Sequence, residues 1–184
     1  MTAAAHAHVA HNRPAMNTVG LWFFFFSETF LFAALLASRF YLAGTDRPHE
    51  LDQQLGLAIT SILLASSLTA YLSESAMARG RRGLSAFFIS LTILLGVLFF
   101  AGVVVEWTTA EFTQREAYGT AFFSMTGLHA SHVLSGVVIL FLVLLLQLRG
   151  RFSASQHWGL EAAVKYWHFV DVVWVFFFPA LYLV

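Results

Sequence analysis

The sequence predicts an all-α integral membrane protein: five transmembrane helices in one bundle, with the N-terminus in the cytoplasm and the C-terminus outside. Three observations carry that prediction. Of the 184 residues, 59% are hydrophobic and only 11% are charged, against a charged share of about 25% in soluble domains, so the chain has too little polar surface to coat a globule in water. The mean hydropathy of +0.73 agrees. The apolar residues gather into five stretches, at about 19–43, 51–73, 84–106, 117–148 and 162–184, each long enough for a bilayer crossing of roughly 20 residues. Finally, the basic residues outside these stretches are shared unevenly between the two sides, which sets the orientation.

The same composition excludes several functions. Five spans joined by short loops leave no room for a soluble catalytic domain. Lys+Arg and Asp+Glu both number 10, so the basic excess of a nucleic-acid binder is missing, and nucleic acid is not expected as a partner. There is no cysteine, which removes disulfides, cysteine-ligated iron–sulfur clusters, thiolate haem and cysteine-bridged copper.

Residues 1–17 are rich in Ala and His, and Arg13 and Pro14 break them before any apolar run begins. That is not the order of a cleavable signal peptide. They read as a flexible tail in which His6, His8 and His11 lack the surrounding shell that would give a metal site its geometry. The membrane domain, 18–184, follows. Its first span opens after Asn17-Thr18, which can cap free amides, and stops at Gly44 with Pro48 beyond. The second opens with Gln53 and Gln54 at the interface and fades through Glu74 into the basic turn Arg79-Gly80-Arg81-Arg82-Gly83. The third carries no charge until Glu106-Trp107, where an indole suits the headgroup layer. The fourth is uncharged over 32 residues, longer than one crossing requires, and is expected to tilt or overrun the hydrocarbon before Arg149-Gly150-Arg151. The fifth contains Lys165, His168 and Asp171, with Pro179 near its end as the site of a local bend.

Arg13, Arg79, Arg81, Arg82, Arg149 and Arg151 fall on one side and only Arg47 and Arg115 on the other, which places the first group in the cytoplasm. The outer loops also hold Asp46, Glu50, Asp52, Glu111 and Glu116, read as ordinary loop solubility. No fixed-period repeat and no recurring mid-span break marks an inverted-repeat transporter.

Ionisable residues inside the spans are the functional candidates, because an ionised group in hydrocarbon costs a few kcal/mol or more. Glu28 stands in the middle third of the first span among phenylalanines and must be protonated, paired or turned to a polar cavity; the alternative to a functional role is a neutral acid bonded to a neighbouring helix. Arg39, about three turns on, is expected to snorkel to the outer headgroups rather than pair with Glu28. His129 and His132 stand at i, i+3, too few ligands for a metal site, and are expected to make interhelical hydrogen bonds beside the small-residue stripe Gly127, Ser131 and Ser135. Glu161 precedes Lys165 by four residues, the favourable direction for an anchoring ion pair. Asp171 lies between Trp167 and Trp174 and reads as a subunit contact, a proton-relay member, or an acid neutralised by His168 or an indole N–H. Glu106 reads as an interfacial structural residue. Most of the aromatic rings are expected to pack helices or face lipid.

Taken together, Ser27-Glu28 amid phenylalanines, Glu106, Thr126-Gly127-Leu128-His129-Ala130-Ser131-His132-Val133, Gly159-Leu160-Glu161-Ala162 and Tyr166-Trp167-His168-Phe169-Val170-Asp171-Val172-Val173-Trp174 resemble the subunit III family of haem-copper terminal oxidases. The resemblance covers about 19–184 and fits the five-helix form, which lacks the first two spans of seven-span members. It implies a non-catalytic subunit of a proton-pumping cytochrome c oxidase of aerobic respiration, in a bacterial cell (inner) membrane. Such a subunit has no catalytic or metal-ligating residue; haem and copper belong to the partners, the catalytic subunit I and the electron-accepting subunit II. It holds phospholipids in a cleft and supports proton uptake and sustained turnover. By the same resemblance Glu28 matches the family's buried, carbodiimide-reactive glutamate, and His129, His132, His168 and Asp171 match lipid-contacting or proton-supporting positions. Glu106 and Glu161 match structural polar ones, and Lys165 is grouped with them as the anchor partner of Glu161. A quinol oxidase subunit III, the same-fold accessory protein of nitric oxide reductase and, from another class, a small ion transporter are the alternatives.

The six-to-two distribution of arginines fixes a testable orientation. A reporter fused after Val184 is expected to be active only outside the cytoplasm; activity inside would reverse the topology.

Overall fold

The computed structural model describes residues 13–45 and 51–184. Five long helices make up almost all of it: α1 (Arg13–Ala43), α2 (Gln53–Ala78), α3 (Arg82–Thr109), α4 (Ala117–Leu148) and α5 (Trp158–Phe178), the last continuing into a π turn, Pro179–Leu183. All five are long and apolar enough to cross a membrane. Among the described residues the one extended pairing is an isolated bridge between Ser153 and Gln156 in the α4–α5 loop. The histidines His6, His8 and His11 and the loop residues Asp46, Arg47 and Glu50 lie outside the described residues.

Local chemistry sets the helix ends and moves several boundaries; α3 extends beyond the expected 84–106 at both ends, and α5 starts at Trp158 rather than 162. Residues 13–17 were expected in the tail, yet α1 already begins at Arg13. Pro14 opens rather than blocks it, because a proline in the first turn loses no intrahelical bond. Asn17-Thr18 therefore lies inside the helix and not at its start. Asp52 caps α2, its Oδ1 accepting from the amides of Gln54 and Leu55 at 3.0 Å each. The helix then runs past the expected 73 to Ala78. There Gly80, at φ 73°, takes the left-handed conformation that glycine adopts without steric cost. The amide of Arg81 reaches back to the Ala76 carbonyl at 2.9 Å, satisfying a carbonyl the helix leaves free. Gly150, at φ 74°, closes α4 in the same way, with Arg151 N–H donating to Leu146 at 3.1 Å.

Pro179 does more than bend α5. It has no N–H, and its ring crowds the carbonyl four residues earlier, so the α ladder cannot pass through it. The chain widens into the π turn, closed by Val184 N–H donating to the Pro179 carbonyl at 3.2 Å.

Successive helices α2 to α5 pack side by side, α5 closes back on α2, and α1 lies against α4 and, more lightly, α5. Only 11% of the apolar window of α1 is buried, against 56% for that of α5; α5 is the axis and α1 an outlying stave. The indole of Trp167 wedges where α3, α4 and α5 meet. A Cβ on Gly96 would lie 2.5 Å from that ring, and one on Gly136 2.8 Å. Gly96 and Gly136 are therefore close-packing small residues, as is Gly102 against Ile59 of α2, whereas the Gly127, Ser131, Ser135 stripe is not: both serines are exposed, and each bonds a carbonyl of its own helix.

This wedge sets a stability test. Gly136→Val would drive side-chain carbons into Trp167 and is expected to cost about 1–3 kcal/mol, as overpacking a filled core does, read as a lowered unfolding midpoint of the detergent-solubilised protein. An unchanged midpoint would mean that α4 and α5 do not approach this closely.

Candidate functional site

Two grooves flank α1, and between them they bring together Glu28, His132, Lys165 and His168. The larger, of about 790 Å³, runs between α1 and α5; its walls include Trp22, Phe23 and Phe26 on one side and Lys165, His168 and Val172 on the other. The second, of about 590 Å³, lies where α1, α4 and α5 meet and is lined by Phe24, Glu28, Ser131, His132, Trp158 and Tyr166 among others.

Glu28 is paired. Its Oε2 lies 3.2 Å from His132 Nε2, with the side chains 19% and 16% exposed respectively, so the contact sits at the groove wall and not in the core. His132 is held from three other directions. Its Nδ1 contacts the Leu128 carbonyl at 2.8 Å, its ring meets Phe32 edge to face at 4.9 Å, and its backbone carbonyl accepts from the Tyr166 hydroxyl at 3.2 Å. The expected interhelical hydrogen bond of His132 is thus present, and it is the bond that satisfies Glu28.

His129 does not share this site. Three residues advance a helix by about 300°, so the two imidazoles diverge by about 60°, enough to place one at the groove and the other in the core. His129 is fully buried, 4.7 Å from the Trp174 ring and 5.6 Å from Phe99, and neither ring nitrogen has a hydrogen-bond partner. Its expected interhelical hydrogen bond is absent because aromatic rings fill the space around it. Among the described residues no three His, Asp or Glu side chains gather so as to hold a metal ion.

Along α5 the anchor pair forms as expected, with Lys165 Nζ 3.5 Å from Glu161, and His157, which spacing had not singled out, approaches the same carboxylate at 3.3 Å. His168 bonds Ser67 of α2 through Nδ1 at 2.7 Å. Asp171 is buried, but neither expected partner neutralises it: His168 is engaged by Ser67, and the indole N–H groups of Trp167 and Trp174 donate to Ser66 and Thr60 at 2.9 Å each. Neither carboxyl oxygen of Asp171 meets a hydrogen-bond partner among the described residues. The serine and threonine positions of α2 outcompete it for both indoles.

Two residues expected at the interface are interior. Glu106 is 3% exposed, and the Tyr182 hydroxyl lies 2.7 Å from both of its oxygens. The π turn folds Tyr182 across the end of α3 and excludes the water that an interfacial Glu106 would have met. Arg39 is fully buried and does not snorkel; it donates to the carbonyls of Gly44 and Val184 at 2.8 Å each, and its guanidinium stands 4.8 Å from the Tyr118 ring centre. Two loop acids also serve internal ends, Asp52 as the α2 cap and Glu116 as an acceptor for the Thr113 amide at 2.8 Å. Sequence reasoning missed Tyr182 and Tyr118 and placed Gln53 at the interface, where it in fact donates to the Tyr182 carbonyl; the one signal was polar atoms on residues close to the ends of apolar spans.

The Glu106 contact is testable. Tyr182→Phe removes the donor to a buried carboxyl group and is expected to cost about 1–3 kcal/mol. Adding Glu106→Gln to that variant should cost less than the two single changes summed, so a double-mutant cycle on unfolding stability reads the coupling. Strict additivity would show that the two residues do not interact.

The family model for cytochrome c oxidase subunit III matches residues 2–184. Among curated relatives, cytochrome c oxidase subunit 3 of Corynebacterium diphtheriae is 36% identical over 195 residues, covering 99% of this chain and 95% of its own length. The protein of that name from Papio hamadryas is 35% identical, over 94% of this chain and 72% of its own. That of Polypterus ornatipinnis is 43% identical over 124 residues, 67% of this chain and about half (48%) of the relative. With the five-span bundle and the Glu28–His132 groove in place, this near end-to-end correspondence settles the family: the chain belongs to the cytochrome c oxidase subunit III family.

Proposed function

We propose that the chain is the accessory subunit III of a proton-pumping cytochrome c oxidase in a bacterial cell membrane, docked beside the catalytic subunit I in a complex that includes the electron-accepting subunit II. The observation that carries this reading is the end-to-end match to a bacterial protein named cytochrome c oxidase subunit 3. In this reading the haem and copper reside in the partner chains, and subunit III contributes shape, lipid and proton-compatible surface. Among the described residues its ionisable groups stand singly, in pairs or, at Glu161 with His157 and Lys165, in a trio, and no three His, Asp or Glu side chains converge on one point. The cytoplasmic placement of the N-terminus belongs to the same proposal. It is supported by the arginines of the α2–α3 and α4–α5 turns, which share one end of the bundle.

The two grooves give the lipid role its physical form. Their walls are apolar, and acyl chains laid along Trp22, Phe23 and Phe26 would cover rings that the bundle itself leaves exposed. Lys165, at the wall of the larger groove and 41% exposed, suits the phosphate of such a lipid as its stem lies along apolar surface and its ammonium reaches the headgroup layer. Filled grooves would keep the flank of the catalytic subunit packed and its proton supply undisturbed.

Removing a supporting subunit is expected to leave the initial rate of oxygen reduction largely intact while activity decays over successive turnovers. Glu28→Ala or Asp171→Ala should act more weakly than removal. The measurement is a time course of oxygen consumption by complexes with and without this chain at matched haem content. Complete loss of the initial rate with an unchanged haem spectrum would make the chain a direct participant in turnover.

A further inference from the structure

The hydrogen bonds around His132 fix where its protons can be. A carbonyl oxygen only accepts, so the 2.8 Å contact between Nδ1 and the Leu128 carbonyl requires a proton on Nδ1. The alternative, Nδ1 accepting from Ser131, is the poorer one, since that hydroxyl lies 3.5 Å from Nδ1 and already donates to the same Leu128 carbonyl at 2.6 Å. With Nδ1 committed, a hydrogen bond across the 3.2 Å gap from Nε2 to Glu28 Oε2 needs one proton between the two atoms. If His132 is neutral, Nε2 is bare and Glu28 donates as an acid. If His132 is an imidazolium, Nε2–H donates to a carboxylate. The pair is electrically neutral in both arrangements. A second proton would leave a net positive charge, and loss of the first a net negative one, at a groove lined mainly by apolar side chains, and a net charge is expensive there.

We propose that Glu28 and His132 form a single acid–base unit at the groove between α1, α4 and α5, sharing one exchangeable proton, with the Leu128 carbonyl locking the imidazole so that only Nε2 can take part. His132 is then a positioning residue for the Glu28 proton. The shift from acid and imidazole to carboxylate and imidazolium moves that proton from Oε2 to Nε2 and changes neither the net charge nor the proton count. The titratable groups facing the unit are Tyr166 from α5 and His129 one turn away on α4. Tyr166 is held in place by donating to the His132 carbonyl, and His129 is enclosed by Trp174 and Phe99. Neither stands between the two partners. The unit thus offers the groove a polar face without a net charge, compatible with an acyl chain lying against it, and this holds whether or not the chain supports turnover in the way proposed above.

The test is spectroscopic and uses the protein in its native membrane complex, with ring-15N histidine incorporated and the His132 resonances isolated by difference against His132→Gln, in which the amide can still bond Glu28 but cannot accept its proton. The expected result is a protonated Nδ1 throughout the pH range in which the complex is intact, and an Nε2 resonance that shifts when Glu28 is replaced. In Glu28→Gln, His132 should be confined to the neutral tautomer with the proton on Nδ1. If His132→Gln fails to assemble, subtracting the Glu28→Gln spectrum isolates the same resonances by their shift. A neutral His132 with a bare Nδ1, or a His132 spectrum that Glu28→Gln leaves unchanged, overturns the proposal.

Discussion

In hydrocarbon no water is present to satisfy a stray backbone group, and in this protein that constraint bears hardest on the last turn of α5. Pro179 breaks the α ladder, and the carbonyls that follow it would otherwise be left without donors. Each of the other four helices supplies a side chain to the turn. Tyr118 of α4 donates to the Leu181 carbonyl at 2.6 Å, Gln53 of α2 to that of Tyr182 at 2.7 Å, and Arg39 of α1 to that of Val184 at 2.8 Å, while Glu106 of α3 accepts from the Tyr182 hydroxyl. One short π turn therefore ties all five helices together at one end of the bundle, and it explains why an arginine and a glutamate lie buried there.

The rest of the bundle is organised by the same accounting along the length of α5. Hydrophobic burial offers little drive between helices that could equally well face lipid, so contact depends on close packing and interhelical hydrogen bonds. Trp167 and Trp174 supply both. Their rings fill the spaces left by Gly96, Gly136 and the faces of Phe99 and His129, and their N–H groups find Ser66 and Thr60. Away from α5, Thr69 bonds Thr92 at 2.7 Å, and Gln147 of α4 donates to the Arg82 carbonyl at 3.0 Å, joining the two basic turns at the opposite end. Each such bond is worth only about 1 kcal/mol, so their spread over several helix contacts matters more than any single one.

The outlying position of α1 follows from this economy and gives the site its character. Because α1 packs mainly against α4 and, more lightly, α5, much of its apolar surface is left to grooves that lipid can fill, and its one mid-membrane acid meets its partner at a groove wall instead of in the core. Asp171, by contrast, is enclosed between α5 and α2 beside the Ser67 hydroxyl, which also bonds His168. The two acids are thus held in different ways, one by a histidine at an open wall and the other in an enclosed space between helices.

What the sequence determined by itself was the membrane class, the number of spans, the α4 boundaries and the family, because these rest on composition, on run length and on contiguous motifs, all of which survive without knowledge of contacts. The Glu161–Lys165 pair was legible for the same reason: one helix turn separates the partners. Tertiary structure alone decided which polar residues meet across helices. Spacing puts His129 and His132 on nearly one side of α4, yet only the rotation of that helix against α1 and α5 turns His132 toward Glu28 and His129 toward Trp174. Arg39 reads as a snorkelling cation until the π turn, 145 residues further along the chain, delivers a carbonyl to it. Interhelical partners so distant in sequence leave no periodic trace, since their pairing is set by the rotation and depth of whole helices, and those are fixed only when the last turn locks the bundle.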